Sequence, residues 1–236
     1  MRKTKTGPLG QDISHHINTL ADRIHAVKAQ QSRTLVAIAG APGSGKSTLA
    51  EEVSRRLTAQ KQPNMVVPMD GFHLDNAILD ARGMRQRKGA PETFDAAGLL
   101  RLIKALKAQD DVVAPLFDRP RDLAIAGAVH IPPDCPVVIV EGNYLLFNEA
   151  PWRDLFPYWD VTAFLDVPMP ELRARLIQRW QFTKPCCGLA MARFAQALST
   201  ILITCRLVNS VVPRRHGRMS QPPEMTKPIT RRSTRS

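Results

Sequence analysis

Gly40-Ala41-Pro42-Gly43-Ser44-Gly45-Lys46-Ser47, followed by Thr48, decides how the rest of this 236-residue chain is read. The spacing is G-x-x-x-x-G-K-S. Glycines there let the backbone curl with its N–H groups pointing inward, and the N-terminus of a following helix adds positive potential. A lysine then reaches the terminal phosphates of a nucleotide, and a hydroxyl ligates Mg²⁺. The flanks suit the motif. Thr34 to Ala39 (TLVAIA) has the run of a short buried strand, and Leu49, Val53 and Leu57 recur at helical spacing just after the loop. Strand, glycine loop and helix follow in the order that phosphate binding requires, and residues 40–48 are the expected nucleotide contacts.

Outward from the loop, the chain alternates strands and helices. Ile13, Ile17, Leu20, Ile24 and Val27 predict an amphipathic helix before it, with Asp12 as N-cap. After it come a strand from Met65 to Met69 ending at Asp70, and a short helix around Leu74, Ile78 and Leu79. A polar, arginine-rich stretch follows from Arg82 to Thr93, then a helix capped by Asp95 that carries Leu99, Leu100, Ile103 and Leu106. Val112–Phe117 and Leu123–Ile131 read as a hairpin closed by Asp118-Arg119-Pro120-Arg121-Asp122. Val137–Val140 is a buried strand running into Glu141-Gly142. A helical piece near 152–159, a strand over 161–165 and a helix from Pro170 to Trp180 complete the pattern. Such alternation predicts an α/β domain with a mostly parallel sheet covered on both faces.

Charge divides the chain. The formal net charge is +12. Residues 1–181 carry 23 Lys and Arg against 20 Asp and Glu, whereas residues 182–236 carry 10 against one, Glu224. The first part has an ordinary balanced surface, and the basic excess belongs to the tail. Three of the four cysteines (Cys186, Cys187, Cys205) lie there too, without paired metal-ligand spacing. The basic N-terminus lacks an apolar core for secretion, and no apolar run is long enough for a bilayer. A cytoplasmic protein with reduced thiols is expected.

In an open parallel sheet, ligands bind outside the carboxyl ends of the strands. Lys46, Asp70 and Glu141 are all delivered to that edge. A cation, a candidate base and a candidate Mg²⁺ carboxylate form the minimum set for phosphoryl transfer. Each carboxylate also has a plain structural alternative, as a helix cap or a turn acid.

Met69-Asp70-Gly71-Phe72-His73 and Arg87-Lys88-Gly89-Ala90-Pro91-Glu92-Thr93-Phe94-Asp95 resemble the bacterial-type pantothenate kinases. More broadly, residues 34–180 are similar to the small-metabolite kinases that include uridine kinases and phosphoribulokinases. The resemblance implies a P-loop NTPase-type three-layer sandwich with small lid and hairpin insertions, and an ATP-dependent, Mg²⁺-dependent transfer of the γ-phosphoryl group to a metabolite hydroxyl. It implies Asp70 as general base, Ser47 and Glu141 as Mg²⁺ ligands, and Phe72, His73 and Lys88 as acceptor contacts. It also implies a lid helix on which Arg175 and Arg179, four apart and on one face, reach the transferring phosphate.

Departures from the group are equally specific. Ala90 stands where pantothenate kinases carry phenylalanine, and 118–121 lacks the histidine of uridine kinases. Nothing after Trp180 maps onto the rest of the lid or an adenine-holding strand. The expected organisation is a disordered start (1–11), a kinase domain (12–180), a diverged or frameshifted end (181–212) and a basic disordered tail (213–236). Thr200–Val212 is a candidate last strand. The partner expected is a small hydroxyl acceptor such as pantothenate, a nucleoside or a sugar, with no specific nucleic acid and no membrane; assembly is left open, a homodimer included. An NTP hydrolase without a small-molecule acceptor is the alternative, and nonspecific nucleic-acid binding by the tail is a third.

Overall fold

The computed structural model describes residues 13–28 and 33–182, the last four of these by backbone alone. Residues 1–12 and 183–236 lie outside it, and with them the Asp12 cap, the Thr200–Val212 strand and the tail. The elements are α1 (Ile13–Lys28), β1 (Thr34–Gly40), α2 (Lys46–Ala59), β2 (Met65–Pro68), α3 (Asn76–Ala81), α4 (Ala96–Ala108), β3 (Val112–Asp118), β4 (Leu123–Ile131), β5 (Val137–Gly142), β6 (Val161–Leu165) and α5 (Met169–Phe182). Among them no helix is long and apolar enough to cross a membrane.

Four strands form a parallel sheet in the order β2-β5-β1-β6. β1 and β5 are buried at every position, as expected of strands with helices on both faces. Their side chains alternate between two cores. Leu35, Ala37 and Ala39 join Val138 and Val140 against Leu99, Ile103 and Leu106 of α4. Val36, Ile38, Val137 and Ile139 face the other way, against α1 and α2 through Leu20, Ile24, Val53 and Leu57. The period of two in the strands and of 3.6 in the helices thus yields the three-layer sandwich. β3 and β4 form a separate antiparallel hairpin.

The expected boundaries shift slightly. β2 stops at Pro68, because 69–72 winds into a 3-10 turn that swings Asp70 off the strand axis. Leu74 precedes α3 rather than joining it, since Asp75 caps that helix by accepting from Ala77 N. The helical piece at Trp152–Tyr158 is a run of 3-10 turns containing Pro157, and α5 runs from Met169 to Phe182.

Arg33 was not anticipated. It is 2% exposed, and its guanidinium donates to the carbonyls of Cys135, Leu106, Pro132 and Pro133 at 2.6–3.0 Å. It ties the start of β1 to the end of α4 and to the chain entering β5. A cation at the carbonyl end of α4 also suits the helix dipole. Arg33→Ala would strand four acceptors in the interior. It should destabilise the fold by about 3 kcal/mol or more, with Arg33→Lys recovering only part. The check is the urea midpoint at unchanged slope.

Candidate functional site

The glycine loop leaves the buried end of β1 and turns at once into α2. Ser44 N donates to Ala41 O at 3.0 Å, and Leu49 N to Gly45 O at 2.9 Å, so the first helical turn closes directly on the loop. Gly45, the N-cap, has φ +94°, a conformation that costs a side-chain-bearing residue dearly. Left-handed Gly43 and Gly45, directly ahead of the α2 N-terminus, give this turn the backbone of an anion cradle. Ser44 Oγ is buried beside it without a hydrogen-bond partner.

Glu141 lies in register with Ile38 of β1 and Pro68 of β2, at the same sheet edge. Ser47 Oγ donates to its Oε1 at 3.1 Å, while Oε2 is buried with no partner. Burial pushes the Glu141 carboxyl above its ordinary value. Lys46 opposes that shift, Asp70 adds to it, and the Ser47 bond and Arg119 pull it down. Three groups named from sequence, Lys46, Ser47 and Asp70, therefore act on the Glu141 carboxylate.

A buried carboxylate oxygen lacking a donor, next to a hydroxyl, matches what a hard cation requires of its protein ligands. Ser47 Oγ and Glu141 fit a divalent metal.

Asp70 sits in the 3-10 turn beyond β2, its side chain 19% exposed. The turn is pressed against β3 so closely that a Cβ on Gly71 would lie 2.3 Å from Pro115 O. That approach brings the tip of the hairpin to the candidate base. Arg119 Nη2 donates to Asp70 Oδ2 at 2.5 Å.

Phe72, His73 and Lys88 were expected at the acceptor. His73 Nδ1 donates to Asp70 O at 2.8 Å, and its ring sits between Phe94 and Phe117, tilted to each, with centroids 4.0 and 4.6 Å away. Burial lowers its pKa below 6.5, against the pull of nearby Asp70. Phe72 faces the core, and its carbonyl accepts from Asp95 N. Lys88 is not part of a solvated charged loop. Its ammonium is buried, donates to Asn76 Oδ1 at 2.7 Å and Asp122 O at 2.9 Å, pairs with the Asp122 carboxylate and lies over the Phe117 ring. It is a strut joining α3 to the hairpin under His73.

α5 packs on the outside of the glycine loop, where Leu172 and Leu176 cover Ala41. Arg175 Nη1 donates to Gly43 O at 3.3 Å and Ser44 O at 3.2 Å, and its other nitrogen pairs with Glu171. Both acceptors belong to the loop backbone, so Arg175 here braces the cradle from the α5 side. Arg179 lies one turn further along α5, and its side chain is outside the described residues.

Arg119 is not singled out by the sequence, where 118–122 reads only as the turn of a hairpin; the absence from 118–121 of the histidine of uridine kinases was the available signal.

Residues 35–181 match the Phosphoribulokinase / Uridine kinase family. The chain belongs to that family. Its members are ATP-dependent phosphotransferases acting on a hydroxyl. A solved structure of a candidate fructose transport system kinase from Silicibacter sp. TM1040 is 50% identical, with a TM-score of 0.72 over 84% of this chain and 93% of that one. An uncharacterised Escherichia coli protein, YggC, is 40% identical over 63% of this chain and 62% of its own length. A pantothenate kinase of Rhizobium rhizogenes is 34% identical over 56% of this chain. The chain covers only 47% of that kinase. The family match bears out the resemblance read from the Asp-Gly-Phe and Arg-Lys-Gly-x-Pro-Glu blocks.

His73, half-buried between two aromatic rings, gives a direct check. As pH falls through 6.5 toward the depressed native value, the unfolded chain takes up a proton that the native ring refuses, so stability declines across that window. Nitrogen-15 NMR of the imidazoles should find one ring protonated at Nδ1, titrating below 6.5 and lost in His73→Gln. That variant should also flatten the decline in Tm over the same window.

Proposed function

We propose that the protein is a kinase that moves the γ-phosphoryl group of Mg·ATP to a hydroxyl of a small metabolite. The carrying observation is Asp70, held beyond β2 at the edge shared by the glycine loop and Glu141, on the side where the hairpin closes over it. A simple NTP hydrolase needs no such second carboxylate with aromatic rings beside it.

In this reading the loop amides and Lys46 hold the β- and γ-phosphates and offset the charge that gathers on the transferring group. Residues 40–48 contribute mainly backbone, with Ser44 Oγ as an added donor. Ser47 and Glu141 would hold Mg²⁺, which would supply charge neutralisation to the phosphates. Asp70 accepts the proton of the acceptor hydroxyl as that oxygen bonds to phosphorus and the bond from phosphorus to the bridging oxygen of ADP breaks. His73, with its Nδ1–H committed to the Asp70 carbonyl, keeps Nε2 as an acceptor for another hydroxyl. Lys88 acts on the acceptor through the hairpin it holds. Arg175 acts on the phosphate through the loop it braces, and Arg179 is the remaining candidate for reaching over it.

The fructose transport system kinase and pantothenate kinase relatives differ in the acceptors their names carry, so the shared chemistry is the hydroxyl rather than one metabolite. Screening hydroxyl acceptors for ADP release tests the reading. Lys46→Ala should lower turnover by about a thousandfold or more, in line with the loss of phosphate neutralisation. Asp70→Asn should cut kcat heavily while leaving the Kd for Mg·ATP within a few-fold, because it removes a proton acceptor and no phosphate contact. ADP release independent of any acceptor, or equal losses of kcat and ATP affinity in Asp70→Asn, would refute it.

A further inference from the structure

Each cation on the hairpin side of the site has a partner, and the partners differ in kind. Lys88 is buried and committed to Asn76 and Asp122. Arg121 pairs with Asp118 within its own turn. Arg119 reaches out of the hairpin tip, 68% exposed along its side chain, to a single oxygen of Asp70. Among the described residues that carboxylate is its one charged partner. It also lies near enough to influence both Glu141 and His73.

This pairing conflicts with catalysis by Asp70. A base must offer its carboxylate to the incoming hydroxyl, and here one oxygen is already taken by a guanidinium. An ion pair so exposed is weak in water and readily exchanged. When the hydroxyl arrives, Arg119 is left at the mouth of the site with its positive charge and its planar donor fork uncommitted. That fork matches a carboxylate or phosphate in two parallel hydrogen bonds.

We propose that Arg119 recognises an anionic substituent, carboxylate or phosphate, on the acceptor, exchanging its bond to Asp70 for one to that group. The inference rests on Asp70 being the base. It adds that the acceptor carries a negative charge within reach of its reacting hydroxyl. With no acceptor bound, Arg119 covers Asp70. An anionic acceptor draws it away and frees the base in the same movement, whereas a neutral alcohol must compete with it.

The test uses the full chain with Mg·ATP and matched acceptors: a hydroxy acid, a sugar phosphate, and the neutral polyol or sugar corresponding to each. Wild type should favour an anionic member over its neutral counterpart, the better of the two anionic arms identifying carboxylate or phosphate. Arg119→Gln should lower kcat/KM for that acceptor by about 10- to 100-fold, mostly through KM, and leave the neutral one unchanged or improved. Arg119→Lys should retain part of the preference, and Arg121→Gln, at the same tip, all of it. Preference of the wild type for neutral acceptors, or an equal fall in kcat for both classes in Arg119→Gln, would overturn the proposal and make Arg119 a positioning group for Asp70. Absence of ADP release with every acceptor would instead refute the kinase reading, and this inference with it.

Discussion

β1 has no exposed residue, and that burial fixes where its last peptide unit points. The strand is flanked by β5 and β6 and covered on both faces, so the backbone cannot shift without opening two cores. The glycine loop begins at the first position free of this constraint. α2 then returns across the sheet, anchored by Leu49, Val53 and Leu57, and fixes the far end of the loop. An anion cradle needs amides that already point inward, because the energy of turning them would otherwise be taken from binding. Here the sheet and helix hold the loop on either side.

The same sheet gathers the carboxylates. Parallel pairing sets Glu141 beside Pro68 and Ile38, so one strand register decides that the acid meets Ser47 at the helix start and Asp70 beyond the next strand. Burial then makes the Glu141 charge costly and leaves Oε2 without a donor, an imbalance that a cation relieves. On the acceptor side, Gly71 against Pro115 decides how near the hairpin comes. A side chain there would push β3 away and take Arg119 from Asp70 and Phe117 from His73. Two glycine requirements, a left-handed backbone at residue 45 and a close approach at residue 71, therefore set the two halves of the site.

What could be read from the sequence follows from the range of each interaction. The strand–loop–helix unit, the period of α4 and the delivery of Lys46, Asp70 and Glu141 to one edge are local patterns or consequences of parallel pairing, and all were legible. The destinations of long polar side chains were not. Lys88 stands among Arg82, Arg85 and Arg87, and nothing in that run marks it as the one whose head is buried under Phe117. Arg33 looks like a polar residue ahead of a strand until the carbonyls of 106, 132, 133 and 135 are brought round it from up to 102 residues away. The family match ends at residue 181, beside the change in composition read after Trp180.

Arg175 illustrates how one residue type serves two kinds of need at a phosphate site. When the loop turns its N–H groups inward, its carbonyls must face out, and they require donors of their own or water. Leu172 and Leu176 exclude water from part of that outer surface by packing on Ala41, so the remaining carbonyls depend on a side-chain donor. A guanidinium can bind two neighbouring carbonyls with one nitrogen and still pair with Glu171 one helical turn earlier. The expectation that Arg175 reaches the transferring phosphate considered only the inner face of the loop. Its position on the outer face meets the opposite requirement of the same curl, and it links α5 to the rigidity of the cradle.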